Sequence, residues 1–346
     1  MKIIIVASRS HFNDYATFVN TLNTLGVETI VADRLKSCFL SESAPLYYVP
    51  FPKLITLIKR FDPDLVITDL PYYTPKMSKL TDRKVLYHIC GDVWNELLLD
   101  QAHQRTLFAR MYSHHINSVL NTNIRDIDLV LANSKWLLNI VKEKIPSCPV
   151  EVFYKGVDVN KWLPDHTAQS YLKHPAVVGI FDFHVYEKVL GLLKFTNVIR
   201  KMPDVNFYFA GNGSYFNLIK QSCPPNMFLL GTLPKPEVKK LLDDADVFVH
   251  PSGLDVLPRS VKEASLMEKP IVASNVGGIP EIVINNKTGY LCEIENVGQW
   301  VERIRFLLDN PDVAKTLGKN AQKFVMETFN WQKITEAFLE NLKSLR

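Results

Sequence analysis

The chain has 346 residues, 47% of them hydrophobic and 22% charged, which excludes a disordered chain and allows two ordinary domains, each with its own core. The net charge of +4 is spread evenly, with 19 basic against 17 acidic residues in 1–170 and 21 against 19 in 171–346, so no domain reads as a nucleic-acid arm. The five cysteines (Cys38, Cys90, Cys148, Cys223 and Cys292) are scattered without metal-ligand spacing, which predicts free thiols in a reducing compartment and no disulfide framework.

The chain begins "KIIIVAS". The apolar run 3–7 is too short for a signal peptide and is followed at once by polar residues, so it predicts a buried parallel strand. No stretch reaches the roughly 18 to 20 apolar residues of a membrane span; the expectation is a cytoplasmic protein, free or held peripherally on the inner face of the membrane. Further β-branched and aromatic runs follow: "DLVITDL", "KVLYHIC", "DLVLANS" and "VEVFY". After a polar stretch at 158–175 come "AVVGIF", "VNFYFAG", "MFLLGTL", "DVFVHPS", "KPIVASN" and "GYLCEI". Helical segments such as "LLKFTNVIRKM", "KPEVKKLLDDA" and "VGQWVERIRFLLDN" alternate with the later runs. Repeated β-α units predict doubly wound α/β domains. The polar stretch is read as the linker, giving domains over 1–165 and 166–330 that face each other across a cleft. Residues 331–346 are read as an amphipathic helix packing back across the junction.

Two segments of the second half carry chemistry. In "HPSGLDVLPRSVKEA", Pro258 is expected at the first position of a helix, with Asp255 in the preceding loop and Glu263 in the second turn. The amides of Val256 and Leu257 lie near the helix start, whose unpaired N–H groups and positive dipole end favour an anion. Two carboxylates beside a phosphate make sense as acceptors from neutral hydroxyls of a sugar and a ribose. The plainer alternative is that Asp255 caps the helix and Glu263 is a solvated surface charge. In "ASNVGGIPEIV", Gly277 and Gly278 form a bend and Pro280 is expected to open a second helix with Glu281 in its first turn. Two such starts together make the stronger anion signal. "FAGNGSY" adds Gly211 and Gly213 after a strand, a weak signal by itself. Two Asp-x-Asp triplets, Asp126 with Asp128 and Asp244 with Asp246, each precede a buried strand, where an acid ends a helix or begins a turn; no metal is assigned.

The run "ADVFVHPSGLDVLPRSVKEASLMEKPIVASNVGGIPEIVINNKTGYL" resembles the signature region of the family 4 retaining glycosyltransferases, which have the GT-B fold. The resemblance extends from about residue 126 to 331 and includes "DLVLANSKWL", "YKGVDVNKW", "EKVLGLLKF" and "FAGNGSY". It implies a metal-independent, cofactor-free transfer of a sugar from a nucleoside-diphosphate sugar to a glycan, lipid-linked or small-molecule hydroxyl. It also implies that Lys188 faces the diphosphate, Asp255 accepts from the donor sugar's hydroxyls and Glu263 from the ribose diol. The amides of Val256 and Leu257 hold oxygens, Gly211 permits close approach, and the backbone at Thr232 and Leu233 meets the base.

Departures from the family pattern are informative. Asp255 stands where the family usually has Glu, the arginine commonly found before the lysine is absent, and the first strand lacks the family's glycine-rich loop; Arg9 is the candidate replacement cation. In "VLYHICGDVWNEL", His88 is the candidate for the histidine that lies under the transferred sugar, with Asp92 and Glu96 as neighbours and a core histidine as the alternative. His114 and His115, with Arg105 and Arg110, read as surface or as an acceptor-side patch. A non-catalytic subunit that binds a sugar nucleotide, and a nucleotide-sugar epimerase of the same architecture, are the rival readings.

Overall fold

The computed structural model describes residues 1–7, 12–33, 46–48, 51–69, 79–91, 127–165 and 170–344. They form two units, Met1–Gly156 with Phe329–Arg346, and Val157–Thr328. The chain therefore divides at Gly156, nine residues before the boundary expected from the linker's polarity, and the last helix is an integral part of the first unit.

The first unit is built on a parallel sheet of β1 (Lys2–Ala7), β2 (Glu28–Asp33), β3 (Leu46–Tyr48), β4 (Leu65–Thr68), β5 (Lys84–Ile89), β6 (Leu129–Ala132) and β7 (Val150–Val152), in the order β3-β2-β1-β4-β5-β6-β7. Residues 3–7 of β1 are all fully buried because side chains alternate between two covered faces. Ile3, Ile5 and Ala7 meet Tyr15, Phe18 and Leu22 of α1 (Phe12–Thr24) and Trp331 and Phe338 of the last helix, α10 (Trp331–Ser344). Ile4 and Val6 meet Leu54 and Ile58 of α2 (Phe51–Phe61) on the other face. Phe18 stacks on Trp331 at 5.3 Å. A further helix, α3 (Lys135–Lys144), starts from Ser134, whose hydroxyl accepts from Leu137 N at 3.0 Å.

The second unit has the parallel strands β8 (Ala176–Ile180), β9 (Asn206–Ala210), β10 (Met227–Gly231), β11 (Val247–His250), β12 (Ile271–Ser274) and β13 (Tyr290–Cys292), ordered β10-β9-β8-β11-β12-β13. One face is covered by α4 (Tyr186–Arg200) and α8 (Val297–Asp309), whose Leu192, Phe195, Trp300 and Ile304 pack on Val177, Phe207, Phe209 and Val249. The remaining helices are α5 (Phe216–Ser222), α6 (Lys235–Asp243), α7 (Arg259–Leu266) and α9 (Pro311–Thr328). The strand order reverses between β8 and β11, so the loops leaving these two neighbouring strands diverge, and that is where open α/β sheets place ligands.

Among the described residues no helix is long and apolar enough to cross a membrane. Among the described residues no disulfide joins Cys90, Cys148, Cys223 or Cys292, and Cys38 lies outside them; burial pushes Cys148 up to about 11 and Cys292 up to about 12.

Candidate functional site

The loops at the reversal bring Lys188 and Asp255 together. Lys188 lies in the first turn of α4, after β8, and Asp255 in the loop after β11. Lys188 Nζ is 3.2 Å from Asp255 Oδ2. The same oxygen is 3.1 Å from His250 Nε2, at the end of β11. Asp255 is 8% exposed and His250 3%, while Lys188 keeps 23%. Burial alone would raise the Asp255 pKa; the Lys188 charge and the His250 hydrogen bond outweigh it and hold the carboxyl at about 2.

Local backbone geometry fixes this acid. Gly278 N donates to the Asp255 carbonyl at 2.9 Å. Gly277 has φ +57, and a Cβ there would fall 2.0 Å from that carbonyl. The Gly-Gly bend after β12 is thus a close-approach device that clasps the Asp255 loop. A second glycine does similar work on the other side of β8. Gly211, at φ +139, leaves room for the Phe181 carbonyl, which a Cβ would approach to 1.9 Å. Its N–H donates to Gly231 O at 2.7 Å, tying the ends of β9 and β10 together beside Thr232, which is exposed, and Leu233, which is half-buried.

Several expectations are corrected in detail. Pro258 is the residue before α7, in extended conformation, and the helix opens at Arg259; a proline ring carries no side-chain acceptor, so the start is uncapped by its own residue. Asp255 does not cap that helix, because its carboxylate is held by Lys188 and His250. The second expected helix is a single 3-10 turn, Ile279–Glu281, opening at Gly278. A turn of three residues aligns few peptide dipoles, so α7 carries most of the anion preference. Val256 and Leu257 are buried in the approach to α7. Glu263 lies in the second turn and is half-buried, not a fully solvated charge.

His88 is fully buried in β5. Its Nδ1 is 2.7 Å from the Tyr15 hydroxyl, and its ring meets Phe153 edge-on at 5.0 Å. This is the environment of a core histidine in the first unit. Arg9, Asp92, Glu96, Arg105, Arg110, His114, His115 and Asp126 lie outside the described residues.

The sequence reading passed over His250. Its signal was a polar residue ending an otherwise apolar strand, in "DVFVHPS", directly before the loop that holds the acid.

The second Asp-x-Asp pair has a structural task at the opposite, amino ends of the strands. Asp244 Oδ2 accepts from the amides of Tyr171 and Leu172 at 2.8 and 2.7 Å. Asp246 Oδ2 accepts from Ala176 N at 2.7 Å and lies 2.7 Å from His174 Nδ1. Asp128 likewise accepts from Val85 N at 2.8 Å in the first unit. A hollow of about 900 Å³ beside His174 is lined by Asp246, Glu268, Lys269 and Lys315. Lys269 Nζ there donates to Asp243 O and Ala245 O at 2.6 and 3.3 Å, so its leading cation already serves the fold. The hollow also lies at the amino ends of the strands, away from the reversal loops.

Comparison with known proteins adds to this geometry. Residues 183–324 match the profile of the family described as "Glycosyl transferases group 1". The chain is 26% identical to the sulfoquinovosyl transferase of Arabidopsis thaliana, over 93% of this chain and 68% of that one. It is 32% identical to an uncharacterized glycosyltransferase of Methanocaldococcus jannaschii, over 60% of this chain and 56% of that one. The chain thus spans about two thirds of the plant relative and just over half of the archaeal one. Among solved structures, sucrose-phosphate synthase from Thermosynechococcus elongatus superimposes with a TM-score of 0.78 at 18% identity, covering 100% of this chain and 99% of that one. Anabaena HepE, solved in complex with UDP, gives 0.78 at 16% identity, covering 99% and 100%. It has also been solved with UDP-glucose. At these identities the likeness shows the fold, which is GT-B.

Proposed function

We propose, from the premise that residues 183–324 are a group 1 glycosyl transferase domain on a GT-B fold, that this chain moves a sugar from a nucleoside-diphosphate sugar to an acceptor hydroxyl with retention of anomeric configuration. The observation that carries the reading is the convergence of Lys188 and Asp255 at the strand reversal, inside the matched segment. The complexes of HepE with UDP and UDP-glucose support the ligand class.

In this reading Lys188 and the amides leading into α7 meet the charge that develops on the leaving diphosphate, with no metal required. Asp255 accepts from the donor sugar's hydroxyls and Glu263 from the ribose diol. The backbone of Thr232 and Leu233 meets the base. The transition state has oxocarbenium character. As the resemblance implies, the acceptor hydroxyl attacks on the side from which the diphosphate departs. The acceptor is a glycan, a lipid-linked glycan or a small molecule, and the first unit is proposed to bind it.

A panel of UDP-, GDP- and ADP-hexoses, tested by thermal shift, identifies the donor, since a ligand that binds the folded state raises its apparent stability. Nucleotide release with acceptor present then separates a transferase from a subunit that only binds. Glu263→Gln is expected to weaken donor binding by about 1–3 kcal/mol, because a charge-assisted hydrogen bond becomes neutral. Unchanged affinity in calorimetry would remove Glu263 from the site.

A further inference from the structure

We infer that His250 is a positioning residue for recognition of the donor sugar: it holds one oxygen of Asp255 from the floor of the site, so that the other oxygen is presented to the ligand. The inference rests on the proposed function and extends it to a residue outside the acid and lysine positions of the resemblance.

His250 is itself held from several directions. It ends β11, a buried strand. Its ring stacks on Phe181 at 4.9 Å with planes 27° apart. Its carbonyl accepts from Ser274 Oγ at 3.1 Å, which links it to the neighbouring strand β12. The imidazole therefore has little freedom to follow a moving partner; the partner is positioned by it.

The proton on the ring can be placed by elimination. Nδ1 is buried and, among the described residues, has no hydrogen-bond partner. An N–H at that position would be a buried donor without an acceptor, which costs more than a bare lone pair. The ring is therefore the neutral tautomer with its proton on Nε2, and Nε2–H donates to Asp255 Oδ2 at 3.1 Å. Lys188 supplies the positive charge, to the same oxygen at 3.2 Å. Both donors converge on Oδ2, and among the described residues Oδ1 takes no hydrogen bond. A carboxylate gripped through one oxygen by a rigid floor and a cation can offer the other oxygen in a fixed direction to a hydroxyl. Aspartate, one methylene shorter than glutamate, keeps its carboxylate close to the strand end, within reach of His250.

The test uses the full chain with His250→Leu, which removes the donor, and His250→Gln, whose amide N–H reaches a similar place. The probe is the nucleotide sugar that most stabilises the wild type, paired with its bare nucleoside diphosphate. Calorimetry of His250→Leu is expected to show nucleotide-sugar binding weakened about tenfold, with the bare nucleotide changed less than twofold. Turnover should show a raised KM for the donor, and His250→Gln should return affinity to within about threefold of wild type. An equal loss for both ligands, or an unchanged ratio in folded His250→Leu, overturns the inference. Should His250→Leu not fold, the ¹⁵N shifts of His250 in the wild type decide: a protonated Nε2 with a bare Nδ1 supports the assignment and the reverse tautomer overturns it. A wild type that binds no nucleotide sugar at all refutes the proposed function, whereas a wild type that binds and a ratio that does not move refute only the role of His250.

Discussion

The second unit carries two clusters of similar composition at opposite ends of one sheet. At the carboxyl ends of the strands Asp255 is joined by His250 and Lys188. At the amino ends Asp244 and Asp246 are joined by His174. The amino-end acids accept from backbone amides of Tyr171, Leu172 and Ala176, and so fasten the segment that leads into β8. Among the described residues the carboxyl-end carboxylate accepts from side chains alone, on one oxygen, in a loop that the Gly277-Gly278 bend clasps. Residue types do not distinguish the clusters; what the acids' oxygens are bonded to does. Acids satisfied by main-chain amides have become part of the fold, whereas an acid held by side chains still has an oxygen to offer.

The largest effect expected from breaking this contrast is at Lys188. Lys188→Ala leaves a buried carboxylate without its cation; transfer should slow by about 100-fold, more than donor binding weakens, and stability should fall by about 2 kcal/mol. Steady-state kinetics with a parallel denaturant titration check both, and equal turnover would remove Lys188 from the mechanism. Next comes Gly277→Ala. It demands a positive φ from alanine and drives Cβ into the Asp255 carbonyl, which should destabilise by about 1–3 kcal/mol and weaken donor binding at the same time. Asp246→Ala should cost about 1–2 kcal/mol in denaturant unfolding, through the lost partner of Ala176 N, while the donor KM stays within twofold. That separation is the sharpest statement of the difference between the clusters.

The last expected effect is in pH. Asp255 has a folded pKa of about 2, below its ordinary 3.8. Its contribution is therefore complete above about pH 4 and is lost as pH falls toward 2, an effect of about 2 kcal/mol. His174 runs the other way. Burial would lower its pKa, but the hydrogen bonds and charges of Asp246 and Asp244 outweigh burial and raise it above 6.5. Its contribution is complete below that value and is lost as pH rises through the folded pKa. Burial opposes it, but the Leu172 and Tyr171 amides and His174 hold Asp244 low as well, so acid weakens both clusters, and mild alkali weakens the amino-end one. Thermal melts of His174→Gln across pH 6 to 9 should lose the alkaline decline expected of the wild type.

Much of this was legible in the residues. β1 and β4 to β13 stand out in the sequence as unbroken β-branched and aromatic runs; the central ones are buried on both faces, while the edge strands β7 and β10 keep such runs though they are largely half-buried. β2 and β3 do not. "ETIVAD" mixes Glu, Thr and Asp into its run, and "LYY" is a three-residue edge strand, so neither has the composition of a doubly covered strand. The glycines of "GGIPE" announced a bend, but not that a 3-10 turn would replace a helix, because proline and glutamate suit the start of either. Asp255 and Lys188 were visible as candidate site residues; their contact was not, since it depends on which strands become neighbours when the sheet order reverses. His250 was hidden by the same fact: its partner lies five residues away along the chain, but its meaning comes from Lys188 arriving from another loop.

The membership of α10 in the first unit bears on how this chain leaves the ribosome. Phe18 and Phe153 are made early, yet the aromatic surface that covers them, Trp331 and Phe338, is separated from them by the whole of residues 157–328. At roughly 5–20 residues per second, synthesis of that intervening stretch takes on the order of ten to thirty seconds. The second unit is contiguous and closes on itself as it emerges, while the first must wait, partly uncovered, for the last helix to be synthesised.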